Sequence, residues 1–358
     1  MRVLEKWCAV SGAKFNIPKT VLVPLGDLPY RTRLRTTRRL SPDSEATIPD
    51  TVHIAGEHEP VRILGAYFGY GLKEVDIWAP VVAKAKATTT RWAQGRPTIR
   101  GLTLGNNTML GGYTQYLTRV QGMPEATLRL FEKMADDLIH AKHGEEKTNT
   151  IGVDTLRSDI GQGGLRALDM RARNEAIELV KLQLLLLPPE LRPRWCEIAE
   201  RILAENAVLK FANQIGSNFM INPLTQSWRV NLNSTTLPAS LKRMMRTAYK
   251  YGVKLVPFGV NQTIRRRMPY WFHWANKPKL ESQYYDMWGK CQRLNHNIKY
   301  VGEMLDHANK TGAFGCRNKP SCVCPSCDRD RQTGCKNPTA CRKNAHAKLN
   351  NIEPEWDP

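Results

Sequence analysis

From residue 314 to the end, apolar side chains nearly vanish, while Cys316, Cys322, Cys324, Cys327, Cys335 and Cys341 fall within 26 residues. A segment with so little to bury cannot close a core of its own and needs a covalent or metal staple. The core spacing, C-x2-C-x7-C-x5-C from Cys324 to Cys341, suits a tetrahedral ion. A C-x2-C pair brings two thiolates to one ion from a tight turn, and two more complete the shell. Cys324, Cys327, Cys335 and Cys341 are therefore the expected ligands of a structural Zn2+, which can contribute roughly 10–16 kcal/mol to folding. Cys316 and Cys322 are further candidates, leaving two ions with shared thiolates, or one ion and two spare cysteines, both open. His346 could replace one ligand. Disulfides and a disordered thiol-rich tail are the competing readings.

The chain of 358 residues can hold two or three domains, and its 41% apolar content suits a folded protein. Its formal net charge of +20 is far from ordinary. An excess of that size points to a polyanionic partner, nucleic acid before acidic membrane, against the bland alternative of a soluble basic surface. No stretch approaches the ~20 apolar residues of a membrane span. The four leucines at 184–187 are closed by Pro188 and Pro189 and read as a buried helix end. Residues 1–6 lack the apolar core of a signal peptide. The expected location is intracellular and reducing, so the nine cysteines are not presumed to be disulfides.

Between Glu205 and Glu281 there is no Asp or Glu, against twelve Lys and Arg. Lys242, Arg243, Arg246, Lys250, Arg265, Arg266 and Arg267 lie there, interleaved with Tyr249, Tyr251, Tyr270, Trp271, Phe272 and Trp274. Cations serve phosphates, and aromatics stack on unpaired bases at roughly 1–3 kcal/mol each. The strip from Arg265 to Trp274 is the expected contact, with Trp271 as the candidate stacking residue. For any single aromatic, core packing is the favoured role, since Trp271 and Trp274 stand at helical spacing.

Periodicity gives a short amphipathic helix on Val3, Leu4, Trp7 and Cys8, a strand at 20–24, an Arg-rich loop over 25–50, and strands around 52–54 and 61–65. Beyond residue 73 the pattern is helical. Ile77, Trp78, Val81 and Val82 mark one helix, and Leu128, Phe131 and Leu138 mark another opened by Pro124. Later helices are expected near 169–187, 190–213, 238–251 and 280–309. Cys291 falls on an apolar helix face, where a buried cysteine is ordinary. Met134-Ala135-Asp136-Asp137 imitates a polymerase metal box. Adjacent helical residues point about 100° apart, so a solvated helix face is the better reading.

Four segments occur in a telling order: Ser11-Gly12-Ala13-Lys14-Phe15-Asn16-Ile17-Pro18-Lys19, then Arg62-Ile63-Leu64-Gly65, then Gly101-Leu102-Thr103-Leu104 after Trp78 and Trp92, then Gly163-Gly164-Leu165-Arg166. Together, over residues 1–187, they resemble the end of the polymerase domain of reverse transcriptases from non-LTR (LINE-type) retrotransposons. Residues 327–341 with Trp356-Asp357-Pro358 also look like a cysteine-rich module that follows the thumb in some of these enzymes. The resemblance implies that Lys19, and Lys14 after it, lie beside the leaving pyrophosphate as accessory groups. It implies a primer-grip hairpin at Arg62. It makes Arg329, Arg331, Lys336, Arg342 and Lys343 phosphate contacts. The sequence departs from the family at Ala13, where a larger apolar residue is common, and at Arg166, where the family has Gly. The family's metal-binding aspartates precede the Ser-Gly segment, so Mg2+ is implied only for a full-length polymerase.

The expected fold is mainly α, with a small α+β palm remnant at 1–72, a helical thumb and Gly-Gly-Leu segment at 73–187, a basic helical extension at 188–312 and a zinc-stapled irregular module at 313–358. The expected function is that of a truncated reverse transcriptase that binds RNA or DNA template–primer and is inactive as a polymerase on its own. It would act in the nucleus, or in the cytoplasm as a ribonucleoprotein, with no membrane or small-molecule partner. The alternative is a self-standing zinc-dependent nucleic-acid-binding or regulatory protein co-opted from such an element.

Overall fold

Alternating short strands give way to long helices at Lys73, where apolar residues begin to recur every three to four positions. The computed structural model describes residues 2–14, 16, 19–95, 97–140, 151–255, 260–276, 281–310, 316, 317 and 319–358. Phe15, Ile17 and Pro18 of the first motif therefore lie outside the described residues. The chain is mainly helical and divides into two units, Met1–Ile177 and Glu178–Pro358.

In the first unit, strand Val21–Leu22 pairs in parallel with His53–Ile54, and Val61–Ile63 pairs antiparallel with Ala66–Phe68. The second pair is a tight hairpin. Leu64 and Gly65 both have positive φ, 49° and 86°, as a two-residue hairpin turn requires. A Cβ on Gly65 would stand 2.9 Å from the Tyr116 ring. The hairpin docks on the following helices through Gln121, which accepts from the Tyr67 N–H at 2.9 Å and donates to the Tyr67 carbonyl at 2.7 Å.

Helices Glu74–Gln94 and Glu125–His140 bury Ile77, Trp78, Leu128 and Phe131 against a continuous helical stretch from Ile99 to Gln121. Trp78 donates its indole N–H to the Gly122 carbonyl at 3.1 Å and meets Phe131 edge-on. The middle of that stretch, Asn106–Leu110, is π-helical. Asn107 within it holds the Arg166 carbonyl at 2.9 Å and the Leu168 N–H at 2.8 Å. Asp136 lies in the Glu125–His140 helix and pairs with His140 at 3.0 Å.

The expected Arg-rich loop contains a helix, Leu28–Thr37. Asp27 caps it by accepting the Tyr30 N–H, and Pro29 fits the first turn. Arg31 is buried there, paired with Glu57 at 2.8 Å and lying over the Tyr70 ring at 3.3 Å. An arginine count says "exposed" only until a carboxylate and a ring are placed to take one of them.

In the second unit one core runs from Leu182 and Leu203 through Trp228, Met244, Met245 and Trp271 to Met304, Ala345 and Trp356. The helix expected across 280–309 is three pieces, Glu281–Tyr285, Met287–Leu294 and Val301–Asn309. Asp286 caps the second piece through the Gly289 N–H. Asn297, at φ 51°, turns the chain before the third. The Glu303 carboxylate then takes the N–H groups of Lys299 and Tyr300 at 2.7 and 3.0 Å.

The C-terminal segment is not irregular, as expected, but forms helices Pro325–Gln332 and Pro338–Leu349. Each begins on a proline, and Asn337 caps the second through the Ala340 N–H at 3.2 Å. Four of the apolar residues that remain there gather in one place. Ala345, Leu349, Ile352 and Trp356 are buried in the same core as Val301, Met304 and Ala308. Residues 188–312 and 313–358, expected as two pieces, thus share a core. Among the described residues, no helix is long and apolar enough to cross a membrane.

Candidate functional site

The six clustered cysteines do not act as one set. Cys316, Cys322, Cys324 and Cys327 form one group, and Cys335 and Cys341 join Cys291 and His296 in another. Within each group the donor atoms lie within 4.8 Å of one another. The expected quartet of Cys324, Cys327, Cys335 and Cys341 is therefore divided between two groups. The reason is local. Cys324 is the N-cap of helix Pro325–Gln332 and Cys327 lies in its first turn, whereas Cys335 follows that helix and Cys341 lies in the first turn of the next, Pro338–Leu349. Cys291 and His296 complete the second group because the break after Leu294 turns the chain back.

Cys291 was expected only as a core thiol and His296 was not singled out. The signal was present as a C-x4-H pair, but forty residues from its partners. His346 is exposed and belongs to neither group.

The Cys316 sulfur stands 3.8 Å from that of Cys322 and 3.7 Å from that of Cys327. Backbone N–H groups of Cys324 and Arg317 pull the Cys322 thiol down to about 6, and burial pushes Cys327 up to about 12. In the second group, the Cys335 and Cys341 side chains pull Cys291 down strongly, while Cys335 is pushed up to about 11 by Cys291. Thiols this crowded give up protons unequally, and thiolate is the form that binds a metal.

Arg342 was expected to meet phosphate, yet its side chain is 0% exposed. It pairs with Asp330 and points N–H groups at the sulfurs of Cys327 and Cys316, at 3.6 and 3.8 Å. A buried guanidinium needs anionic partners, and these are the ones it has. Arg331 is half-buried and donates to the Pro320 carbonyl at 2.9 Å; Arg329, Lys336 and Lys343 are exposed.

The basic residues of the middle divide too. Lys242, Arg243, Arg246 and Lys250 follow each other at one, three and four positions along helix Ala239–Lys250, which puts them on one side. Leu241, Met244, Met245 and Ala248 are buried on the other, and the helix has no acidic residue. Arg265 donates to the Asp357 carbonyl at 3.1 Å, Arg266 pairs with Asp306 at 2.6 Å, and Arg267 pairs with Glu190. The acids absent from the local sequence are supplied by tertiary structure.

Trp271 is not a stacking platform. It is 3% exposed, donates its indole N–H to the Ile298 carbonyl at 2.6 Å and meets Tyr284 edge-on. In the first unit, Lys14 and Lys19 are exposed, and Arg62 is exposed on the Val61–Ile63 strand.

Comparison with protein families, curated proteins and solved structures gives no match. The geometry by itself defines a mainly helical protein whose second unit carries two groups of cysteine and histidine within metal-binding reach and a helix with a cationic face.

Proposed function

We propose that the chain is the C-terminal part of a LINE-type reverse transcriptase, which grips RNA or DNA template–primer and does not polymerise by itself. The observation that carries the binding is the cationic face of helix Ala239–Lys250. Lys242, Arg243, Arg246 and Lys250 stand on one side of a helix that has no acidic residue, opposite the buried stripe of Leu241, Met244, Met245 and Ala248, so the side away from the core carries one sign of charge. Arg329, Lys336 and Lys343, exposed on the cysteine-rich segment, extend the basic character of the unit.

Two local features support the family reading of the first unit. The Arg62 segment, read as the primer grip, is a tight hairpin seated on a helix. Arg166, which stands where the family has Gly, takes φ 52°, a conformation that favours glycine. The ion pair of Arg166 with Asp159, at 2.8 Å, holds the substituted residue there.

Structural zinc staples the cysteine-rich segment. The Cys316, Cys322, Cys324 and Cys327 group offers four thiols and no open position, the pattern of a structural site. A zinc tetrathiolate carries net negative charge, which the buried Arg342 guanidinium beside two of the sulfurs offsets.

A self-standing zinc-dependent binder is favoured by one observation: residues 178–358 hold their own core together with both cysteine groups. Electrophoretic mobility shifts with labelled primer–template, and primer extension with Mg2+ or Mn2+, test the proposal. Binding without extension is expected of the full chain. Extension would contradict it, and binding by residues 178–358 alone with the full chain's affinity would favour the second reading.

A further inference from the structure

Cys291 and His296 lie outside the cysteine-rich segment, on and just past helix Met287–Leu294. Their donor atoms nevertheless come within 4.8 Å of those of Cys335 and Cys341, both buried. The imidazole of His296 carries the sharper observation. Its Nδ1 faces the Asp330 carboxylate at 3.8 Å, while its Nε2 is buried with no hydrogen-bond partner. A buried ring nitrogen with no partner is rare. A histidine that turns one nitrogen to a carboxylate and offers the other to an ion is the usual arrangement of a zinc ligand. His296 also comes within reach of His307 and Asp330. Asp330 is already committed to Arg342, and three thiolates are the softer, stronger set for an ion of this class.

The same Asp330 joins the two groups. It pairs with Arg342, whose N–H groups reach the sulfurs of Cys327 and Cys316, and it faces His296 in the other group. Asp330 and Arg342 therefore stand between one set of thiols and the other.

We propose that this protein holds two separate Zn2+ ions, the second on Cys291, His296, Cys335 and Cys341, and that the Asp330–Arg342 pair couples the two centres. The second ion is a cross-brace. Two of its ligands come from the basic extension and two from the cysteine-rich segment, so it fixes the exposed Lys336 and Lys343 to the rest of their unit. The inference rests on the zinc reading above and extends it in number, ligand set and role.

Native mass spectrometry of the zinc-loaded full chain tests it without any substitution. Two ions per chain are expected, and one ion would overturn the second centre. Cys291→Ser and His296→Ala should each leave one ion, and a Co2+-loaded Cys291→Ser chain should show the absorption of an all-thiolate site. His296→Cys should restore the second ion. Two ions retained in Cys291→Ser would overturn the ligand assignment. Asp330→Asn should weaken both ions against a competing chelator, on the order of 10–100-fold; weakening of only one, or of neither, would overturn the coupling. A chain that binds no ion sinks this inference and the zinc reading together. Two ions in a chain that ignores nucleic acid would uphold the centres and sink the binding function alone.

Discussion

His273 accepts the Ala275 N–H on its Nδ1 at 3.1 Å, inside a shell that includes Trp274 and Trp356. Burial pushes its pKa from 6.5 down to about 4. Between those values the unfolded chain binds a proton that the folded one refuses, so stability rises with pH across that window and falls as pH drops through it. Denaturant unfolding at pH 7 and pH 4.5 should show a loss of up to about 3 kcal/mol from this ring. His273→Asn, which keeps an acceptor, should lose less between the two pH values than the native chain, and equal losses would place the ring in solvent. Gly164 is a second such residue, because a Cβ there would stand 2.0 Å from the Ser158 carbonyl oxygen. Gly164→Ala should destabilise the first unit by about 1–3 kcal/mol, read as a lower melting temperature; an unchanged melt would show that the backbone yields. At this scale the sequence is most ambiguous. Trp271 fits both a core role, which its spacing from Trp274 favours, and a base platform, and the Ile298 carbonyl and the Tyr284 ring decide for the core. Arg342 looked like a phosphate contact for the same reason, since a charge does not announce the buried partner that neutralises it.

Helix Ala239–Lys250 separates its basic residues from its buried ones by face, and that makes the proposed grip testable. Lys242→Glu, Arg246→Glu and Lys250→Glu together leave Leu241, Met244, Met245 and Ala248 untouched. The triple variant should fold, and should bind labelled RNA or DNA at least tenfold more weakly, with a shallower salt dependence by about 0.9 per lost duplex phosphate contact. Full affinity in a folded variant would remove this helix from the interface. Helices with strong apolar periodicity, such as Glu74–Gln94 and Glu125–His140, were legible because packing and pattern agree. The 280–309 stretch has the right apolar spacing for one helix, yet Asp286 and Asn297 break it. Those breaks are what carry Cys291 and His296 to Cys335 and Cys341, so the missed boundary and the missed metal-binding candidates are one error.

Across the whole molecule, the shortage of apolar residues after 314 leads to the expectation of a metal staple, and among the described residues cysteine and histidine donors gather in groups that could hold a metal ion. Spacing could not divide the ligands, because two of them come from a different stretch of chain. Chelation of the full chain should expose the core around Ala345 and Trp356, with a drop in melting temperature that added Zn2+ reverses; an unchanged melt would show that this segment is held by packing alone. The measurement that bears most directly on the function proposed is the affinity of the full chain for a labelled primer–template over a range of salt concentrations. Log affinity should fall linearly and steeply with log salt, by about 0.9 for each phosphate neutralised on duplex. A flat response, or no binding at low salt, would contradict a nucleic-acid grip and leave a zinc-braced scaffold for some other partner.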